Sequence, residues 1–164
     1  MASWREDLSG IIPPDVLTEL TAPEAEAVWT DRWREAITSP PTSRHRVFVA
    51  VTEGVPAGFA SAGPATDPDL WPATDGQLYE LRVLPERADE GHASRLLHAV
   101  ADTLADDGFR TMSTWAVEAD KGYQEFLVEA GWAPDGAKGE LELGNHVAVL
   151  RLRTAIGGYG GEPE

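Results

Sequence analysis

The feature that most constrains the fold is a strand, a loop, an amphipathic helix and a second strand in direct succession. Residues 77–84 alternate apolar and polar side chains as a strand does, and Pro85 ends them. Residues 91–107 carry apolar side chains at helical spacing, and Gly108 caps them. Residues 111–118 then return to a strand pattern. Two strands joined in this way favour a single sheet with a helix packed on it.

The rest of the chain supplies further helices and strands around this unit. In chain order the sequence predicts helices over 13–20 and 21–38, a hairpin of 46–52 and 57–62, a helix over 121–130, and strands over 140–143 and 147–152. Helices come first, then a hairpin, then strands alternating with helices. This order predicts an α+β (mixed α/β) domain around one mixed sheet.

The second helix has a clear start signal and an apolar stripe. Thr21 is predicted as its N-cap, and Glu24 stands three residues later, as a capping box requires. Apolar residues recur at helical spacing and predict a buried face: Ala25, Val28, Trp29, Trp33 and Ile37. Trp29 and Trp33 are therefore interpreted as core residues.

Composition narrows the class of protein. The 164 residues are 42% hydrophobic and 25% charged, which fits one globular domain; we expect it to span 1–153, with a disordered tail over 154–164. The formal net charge of −15 argues against nucleic acid or an anionic membrane as partner and favours a cationic partner such as an amine. The chain lacks cysteine, a membrane-length apolar run and a secretory signal, so a cytoplasmic location is the simplest expectation. The histidines have no metal-ligand spacing, and we expect no metal.

One segment carries a recognisable binding chemistry. A strand ends at residue 84, a short loop follows, and a helix begins at Gly91. The free N–H groups at a helix start, together with the helix dipole, form a site for phosphate or pyrophosphate. Gly91 and Ala93 have no large side chain that would keep a ligand from the backbone. A turn of this kind also occurs without any ligand, so the residues alone leave both interpretations open.

The spacing within and after this segment resembles a known family. Val83-x-Pro85, five residues, and then Gly91-x-Ala93 before a Leu-Leu pair resemble the central acetyl-CoA motif of the GNAT superfamily of N-acetyltransferases. Residues 114–120, Phe126 and the pair Gly131-Trp132 are similar to that family's next strand and helix. With residues 2–13, which are similar to its first-helix region, the resemblance covers residues 2 to about 153.

The resemblance implies a fold, a cosubstrate and the residues that bind it. The fold would be a single central mixed sheet flanked by helices, with a V-shaped splay between the two central strands. Acetyl-CoA would be the cosubstrate, without a metal. The strand edge at Leu81 and Val83 would pair with its pantetheine arm. The remaining residues implied to bind it are Asp89, Glu90, Gly91, His92, Ala93, Ser94 and Asp120. His92 is expected to act only through its backbone.

An acetyltransferase also implies an amine acceptor, a base and an acid. The acceptor would be an amine of a small molecule or peptide, entering where the strands splay, and Trp71 is a candidate for its pocket. Glu80, on the strand before the coenzyme loop, is the first candidate for the general base, with Glu118 as a second. The family commonly has a tyrosine acid where this chain has Leu127. Tyr123, four residues earlier on the same helical face, is the candidate replacement.

Several departures keep a second interpretation open. Ala88 stands where the family usually has Arg or Gln, and two carboxylates that would repel a pyrophosphate follow it. Arg87, Arg95 and Lys121 would restore positive charge. The sequence has no counterpart of the family's first strand: either the chain lacks this strand, which would leave an exposed sheet edge, or the sequence begins late. The alternative is a catalytically inactive GNAT-fold protein that serves as a binding or interaction module, and a homodimer is also left open.

Overall fold

The computed structural model describes residues 13–157, which form one sheet flanked by helices, so the predicted fold class is confirmed. In chain order the elements are α1 (Pro14–Leu20), α2 (Pro23–Thr38), β1 (Arg46–Thr52), β2 (Val55–Pro64), β3 (Asp75–Val83), a 3₁₀ turn (Pro85–Glu90), α3 (His92–Asp106), β4 (Thr111–Val117), α4 (Lys121–Glu129), β5 (Ala133–Glu142) and β6 (His146–Ala155). None of the helices described is long and apolar enough to cross a membrane.

The sheet opens between its two central strands. Its order is β1-β2-β3-β4-β6-β5, and only the β3–β4 pair is parallel because α3 crosses over between them. That pair runs from Asp75 opposite Thr111 to Gln77 opposite Ser113, and the described strands share no further ladder pair. Beyond Gln77 the strands separate, which confirms the predicted V-shaped splay.

A bulge in β3 lies where the splay begins. Ser61 pairs with Glu80 and Ala62 with Leu78, so Tyr79 is the extra residue. A bulge of this kind bends its strand and increases the local twist. The Tyr79 hydroxyl donates a hydrogen bond to the Pro64 carbonyl (2.6 Å), and its ring stacks on His45. These contacts hold the bend that carries β3 away from β4.

The hydrophobic core lies between the sheet and α3. This helix buries His92, Leu96, Leu97, Val100 and Leu104. They pack with Leu78, Met112, Phe109 and Leu152 from the strands and the loop before β4. The apolar period predicted for this helix therefore matches the face that it buries.

Helix α2, on the other face of the sheet, does not have the predicted buried stripe. None of its residues is buried, and Val28 and Ile37 are 53% and 58% exposed. Trp29 and Trp33 are only partly buried, so assigning them to the core was wrong; Trp33 packs edge-to-face on Phe59 with ring centroids 4.7 Å apart. The helix therefore contacts the sheet through partly buried side chains such as Trp33, without burying any residue.

The predicted cap of α2 was also wrong. Ala22 is the N-cap and makes no side-chain capping hydrogen bond, while Pro23 occupies the first turn. The Thr21 hydroxyl instead donates to the carbonyl of Leu17 (2.8 Å) at the end of α1. The preceding helix therefore uses the side chain that the capping box required.

The last two strands are longer than predicted. β5 begins at Ala133 rather than at residue 140. The prediction missed its first part because a register irregularity between Pro134 and Lys138, with Gly136 at φ +92°, interrupts the alternation of the strand. β6 continues to Ala155, and Ile156 packs against the core, so the folded part extends beyond residue 153. The first-helix resemblance over 2–12 and the tail from 158 lie outside the described residues.

Candidate active site

The predicted coenzyme loop is a 3₁₀ turn that leads directly into α3. Gly91 ends the turn with φ +78°, a left-handed conformation that favours glycine. The first hydrogen bond of α3 runs from Arg95 N to Gly91 O (3.2 Å). The N–H groups of residues 91–94 precede that bond, as in a helix start that binds an anion. Asp89 and Glu90 lie in the 3₁₀ turn itself, where N–H groups bond within the turn.

Side chains tie this loop together and pair one of its two carboxylates. The Glu90 carboxylate contacts His92 Nε2 (2.8 Å) and receives a hydrogen bond from Arg87 Nη1 (3.1 Å). Hydrogen bonding from His92, and then from Arg87, outweighs burial and lowers the pKa of Glu90. The expected repulsion toward a pyrophosphate is thereby reduced, since one of the two acidic groups has cationic and N–H partners inside the loop.

His92 does more than contribute its backbone. It is 3% exposed, and its Nδ1 lies 2.9 Å from Arg95 Nη2, which also donates to the Glu90 carbonyl (3.0 Å). Because arginine can only donate, Nδ1 is the acceptor and Nε2 carries the hydrogen directed at Glu90. The buried imidazole thus holds Arg95 over the Gly91 turn. Its position between Glu90 and Arg95 in the sequence was a signal for this arrangement, and sequence reasoning missed it.

The strand edge predicted to pair with the pantetheine arm faces the splay. Leu81 and Val83 pair with Ala60 and Gly58 of β2 on one side only. On the other side, the tie nearest the splay is a hydrogen bond from the Thr114 hydroxyl to the Leu78 carbonyl (3.0 Å). Past that bond the β3 backbone has an edge to which an extended chain can add.

The two predicted catalytic residues, Glu80 and Tyr123, lie on β3 and on the helix after β4. The side chain of Glu80 is 17% exposed, and Arg82 Nε donates to its Oε1 (3.2 Å). Tyr123 lies on α4, and burial raises the pKa of its hydroxyl. The charges of Arg82 and Glu80 both act on that hydroxyl. The Tyr123 hydroxyl is therefore within electrostatic range of Arg82 and Glu80.

Asp120 and Leu127 fix the helix that carries Tyr123. The carboxylate of Asp120 caps α4 by accepting a hydrogen bond from Tyr123 N (3.0 Å), a role it can fill as well as asparagine. Leu127 is fully buried in the core, so this position packs rather than reacts. Glu118, the second candidate base, is 43% exposed and lies 3.9 Å from Lys138 Nζ.

A cleft of about 590 Å³ lies between α1–α2 and the sheet, beside the splay. Trp29 and Trp115 line it together with Arg82 and Val117. We call it the large cleft. A smaller cavity of about 330 Å³ shares Trp29 and includes Glu80. Trp71, the predicted pocket residue, is 70% exposed and lines neither of these two cavities, so its role stays a prediction.

A buried arginine fixes one wall of the large cleft. Arg151 is 4% exposed and donates to three carboxylates, those of Asp67 (3.1 Å), Asp69 (2.6 Å) and Asp135 (2.7 Å). Asp67 also accepts from Trp115 Nε1 (2.9 Å), and the guanidinium lies 5.6 Å from the Trp115 ring centroid. The network ties the β2–β3 loop and β5 to the sheet and orients the indole. Over residues 13–157 no histidine and carboxylate cluster is arranged to hold a metal ion.

Comparisons with known proteins place the chain in a family. The sequence model of the Acetyltransferase (GNAT) family matches residues 15–132. An uncharacterized N-acetyltransferase of Bacillus subtilis (strain 168), YuaI, is 37% identical over 117 residues, which are 71% of this chain and 61% of that protein. This chain thus matches about three fifths of the length of that relative. The chain belongs to the GNAT family of acetyltransferases.

Solved structures with low identity share the fold. A proposed GNAT-family acetyltransferase from Desulfovibrio desulfuricans matches with a TM-score of 0.65 at 21% identity, covering 88% of this chain and 94% of that one. The PaiA N-acetyltransferase of Thermoplasma acidophilum, solved with coenzyme A, matches with a TM-score of 0.65 at 12% identity, covering 92% and 85%. The ribosomal-protein-S18-alanine N-acetyltransferase of Escherichia coli matches with a TM-score of 0.60 at 16% identity, covering 79% and 81%.

Proposed function

We propose that this protein transfers an acetyl group from acetyl-CoA to a primary amine of a small molecule or protein. One observation carries the proposal: Glu80 and Arg82, joined by a hydrogen bond of 3.2 Å, lie on β3 beyond the point where its pairing with β4 ends. Membership of the GNAT family supports it, as does a structural neighbour solved with coenzyme A and another that acetylates a protein amine.

The residues of the coenzyme loop fit such a cosubstrate. The N–H groups of residues 91–94 would receive the pyrophosphate, and Arg95 would supply the positive charge that Ala88 lacks. The backbone of Leu81 and Val83 would hold the pantetheine arm as an added strand. Asp120 would act indirectly, by capping the helix α4 that carries Tyr123.

The site residues divide the proton chemistry between them. Acetyl-CoA supplies an activated acyl group whose transfer to an amine nitrogen forms an amide and releases a thiol. Glu80 would accept the proton that the amine must lose, directly or through one water. Tyr123, whose pKa is raised and which is therefore protonated at neutral pH, would donate a proton to the departing sulfur. Open backbone at the splay would polarise the thioester carbonyl.

The alternative of a catalytically inactive protein has no support from the comparisons. The structure also weakens the sequence observations that favoured it. Leu127 fills the core, and Tyr123, one turn earlier, has its hydroxyl within electrostatic range of Glu80. Glu90 is paired within the loop, and Asp120 is a helix cap. A cytoplasmic location and a homodimer stay predictions.

Release of CoA in the presence of acetyl-CoA and a panel of primary amines tests the proposal. With an accepted amine, Glu80→Gln should lower kcat by roughly a hundredfold or more, because general base catalysis contributes about that much. Tyr123→Phe should lower kcat with little change in the KM for acetyl-CoA. Glu125→Gln, an exposed carboxylate on the same helix as Tyr123, is the matched control and should leave kcat unchanged. Normal turnover by Glu80→Gln, with loss in Glu118→Gln, would reassign the base.

A further inference from the structure

The large cleft has an unusual chemical character for a site in so acidic a protein. Trp29 and Trp115 provide aromatic surface, and Leu20, Leu141, Leu143 and Val149 make most of the remainder apolar. Its charged lining residues are Arg82 and Glu140, which have opposite signs. Glu140 is 66% exposed and contacts His146 (3.3 Å), so it is largely solvated.

The large cleft meets the proposed reaction centre. Arg82 lines it, and the same guanidinium binds Glu80. Val117, at the end of β4 in the splay, lines it as well. A molecule whose amine nitrogen lies at Glu80 therefore has room for the rest of its structure in this cleft.

We infer that the acceptor is a primary amine carrying an aromatic or alkyl group, bound with that group in the large cleft between Trp29 and Trp115. This inference rests on the proposed function and names its substrate class. Apolar burial against these side chains provides affinity, and an ammonium group arriving from solvent is attracted by the aromatic faces and by the net charge of −15.

Amines with several positive charges fit this cleft less well. A second ammonium group of a polyamine would lie against leucine and valine side chains or near Arg82, without a buried carboxylate to pair with it. The side chain of a peptide lysine carries its own long alkyl chain, but its backbone would have to enter a cleft with few hydrogen-bonding groups. Both classes are therefore expected to bind more weakly.

Gly139 offers a way to fill the cleft without touching the reaction centre. It lines the cleft on β5, and an added Cβ would lie 3.4 Å from Val149 Cγ2 and 3.8 Å from Trp115 Cζ3. These are ordinary van der Waals distances for a Cβ, and the methyl groups of a valine, a residue that favours strands, would occupy space in front of the indole. Ala133→Val, at an exposed position on the same strand, is the matched control. Leu141→Ala, which removes apolar lining, is a second variant should Gly139→Val fail to fold.

Isothermal titration calorimetry in the presence of CoA tests this inference. The ligands are 2-phenylethylamine, spermidine and a lysine peptide amide. We expect 2-phenylethylamine to bind roughly tenfold or more tightly than the other two, and Gly139→Val to weaken it by roughly tenfold, while Ala133→Val leaves it unchanged. Equal or tighter binding of spermidine or the peptide, no binding of 2-phenylethylamine, or indifference to both cleft variants would overturn the inference.

Turnover separates this outcome from failure of the proposed function. If spermidine is acetylated and 2-phenylethylamine neither binds nor reacts, the acetyltransferase proposal stands and the inferred class is wrong. If 2-phenylethylamine binds in a Gly139-dependent way but no amine yields CoA, the cleft assignment stands and the proposed reaction is wrong.

Discussion

Helices α2 and α3 are almost equal in length, at 16 and 15 residues, yet they pack on the sheet in opposite ways. Helix α3 buries five residues and begins at the coenzyme loop, whereas α2 buries none and stands over the large cleft. The side proposed to bind the coenzyme is therefore built into the core, while the side proposed to bind the acceptor is covered by a helix that buries none of its residues. We expect the second side to adapt more readily to its ligand than the first.

The largest difference should appear when each helix loses one apolar side chain. Leu97→Ala in α3 should lower the free energy of unfolding by about 2–5 kcal/mol, because it opens a cavity in the core. Ile37→Ala in α2 should change it by less than about 0.5 kcal/mol, since that side chain is mostly exposed. Urea unfolding of both variants measures the contrast. Equal losses would show that α2 is packed as firmly as α3.

A smaller effect should follow from removing the cation at the coenzyme loop. Arg95→Ala should weaken acetyl-CoA binding by roughly tenfold, the scale of a hydrogen bond to a charged group, and leave the KM for the acceptor unchanged. The control is Arg110→Ala, which removes an exposed arginine that directly precedes β4. Calorimetry with acetyl-CoA distinguishes them, and a similar loss in both would mean that only overall charge matters.

The smallest effect concerns pH and the edge strand β1. Arg46 donates two hydrogen bonds to Asp107 (2.9 and 2.6 Å), which tie β1 to the end of α3 and lower the pKa of Asp107 below its ordinary 3.8. A lowered folded-state pKa adds stability above the unfolded value, and this increment is lost as the pH falls through the folded value. Asp107→Asn should therefore be slightly less stable than the wild type at pH 7, with the difference shrinking as the pH falls below 3.8. A difference that grows in acid would contradict this assignment.

The sequence predicted those features of the fold that depend on the local pattern of apolar residues. The apolar period of α3 matched its buried face because that helix packs directly on the sheet. The same period in α2 failed, since periodicity records which side chains share a face and not how closely a sheet approaches them. The long β5 was cut short in the prediction because Gly136 breaks its alternation.

Some features of the candidate site could likewise be predicted from the sequence, and others could not. The positions of Glu80, Tyr123 and Gly91 followed from motif spacing and the family resemblance, although their roles stay predictions. The network under the cleft did not follow, because Arg151 and Asp69 are 82 positions apart in the chain, and Trp115 and Asp67 are 48 apart. The contacts of the His92 side chain were missed although Glu90 and Arg95 lie only two and three residues away, because the burial of this histidine depends on how the start of α3 packs.

Thermal unfolding with and without acetyl-CoA, with ATP as the control nucleotide, tests the central claim that the α3 side of the site is an intact coenzyme site. At about a hundred times its dissociation constant, a bound ligand adds roughly 2.7 kcal/mol of stability. In a domain of this size that raises Tm by several degrees. We predict such a rise with acetyl-CoA, a smaller one for Arg95→Ala, and none with ATP. An unchanged Tm at millimolar acetyl-CoA, or an equal rise with ATP, would contradict the claim.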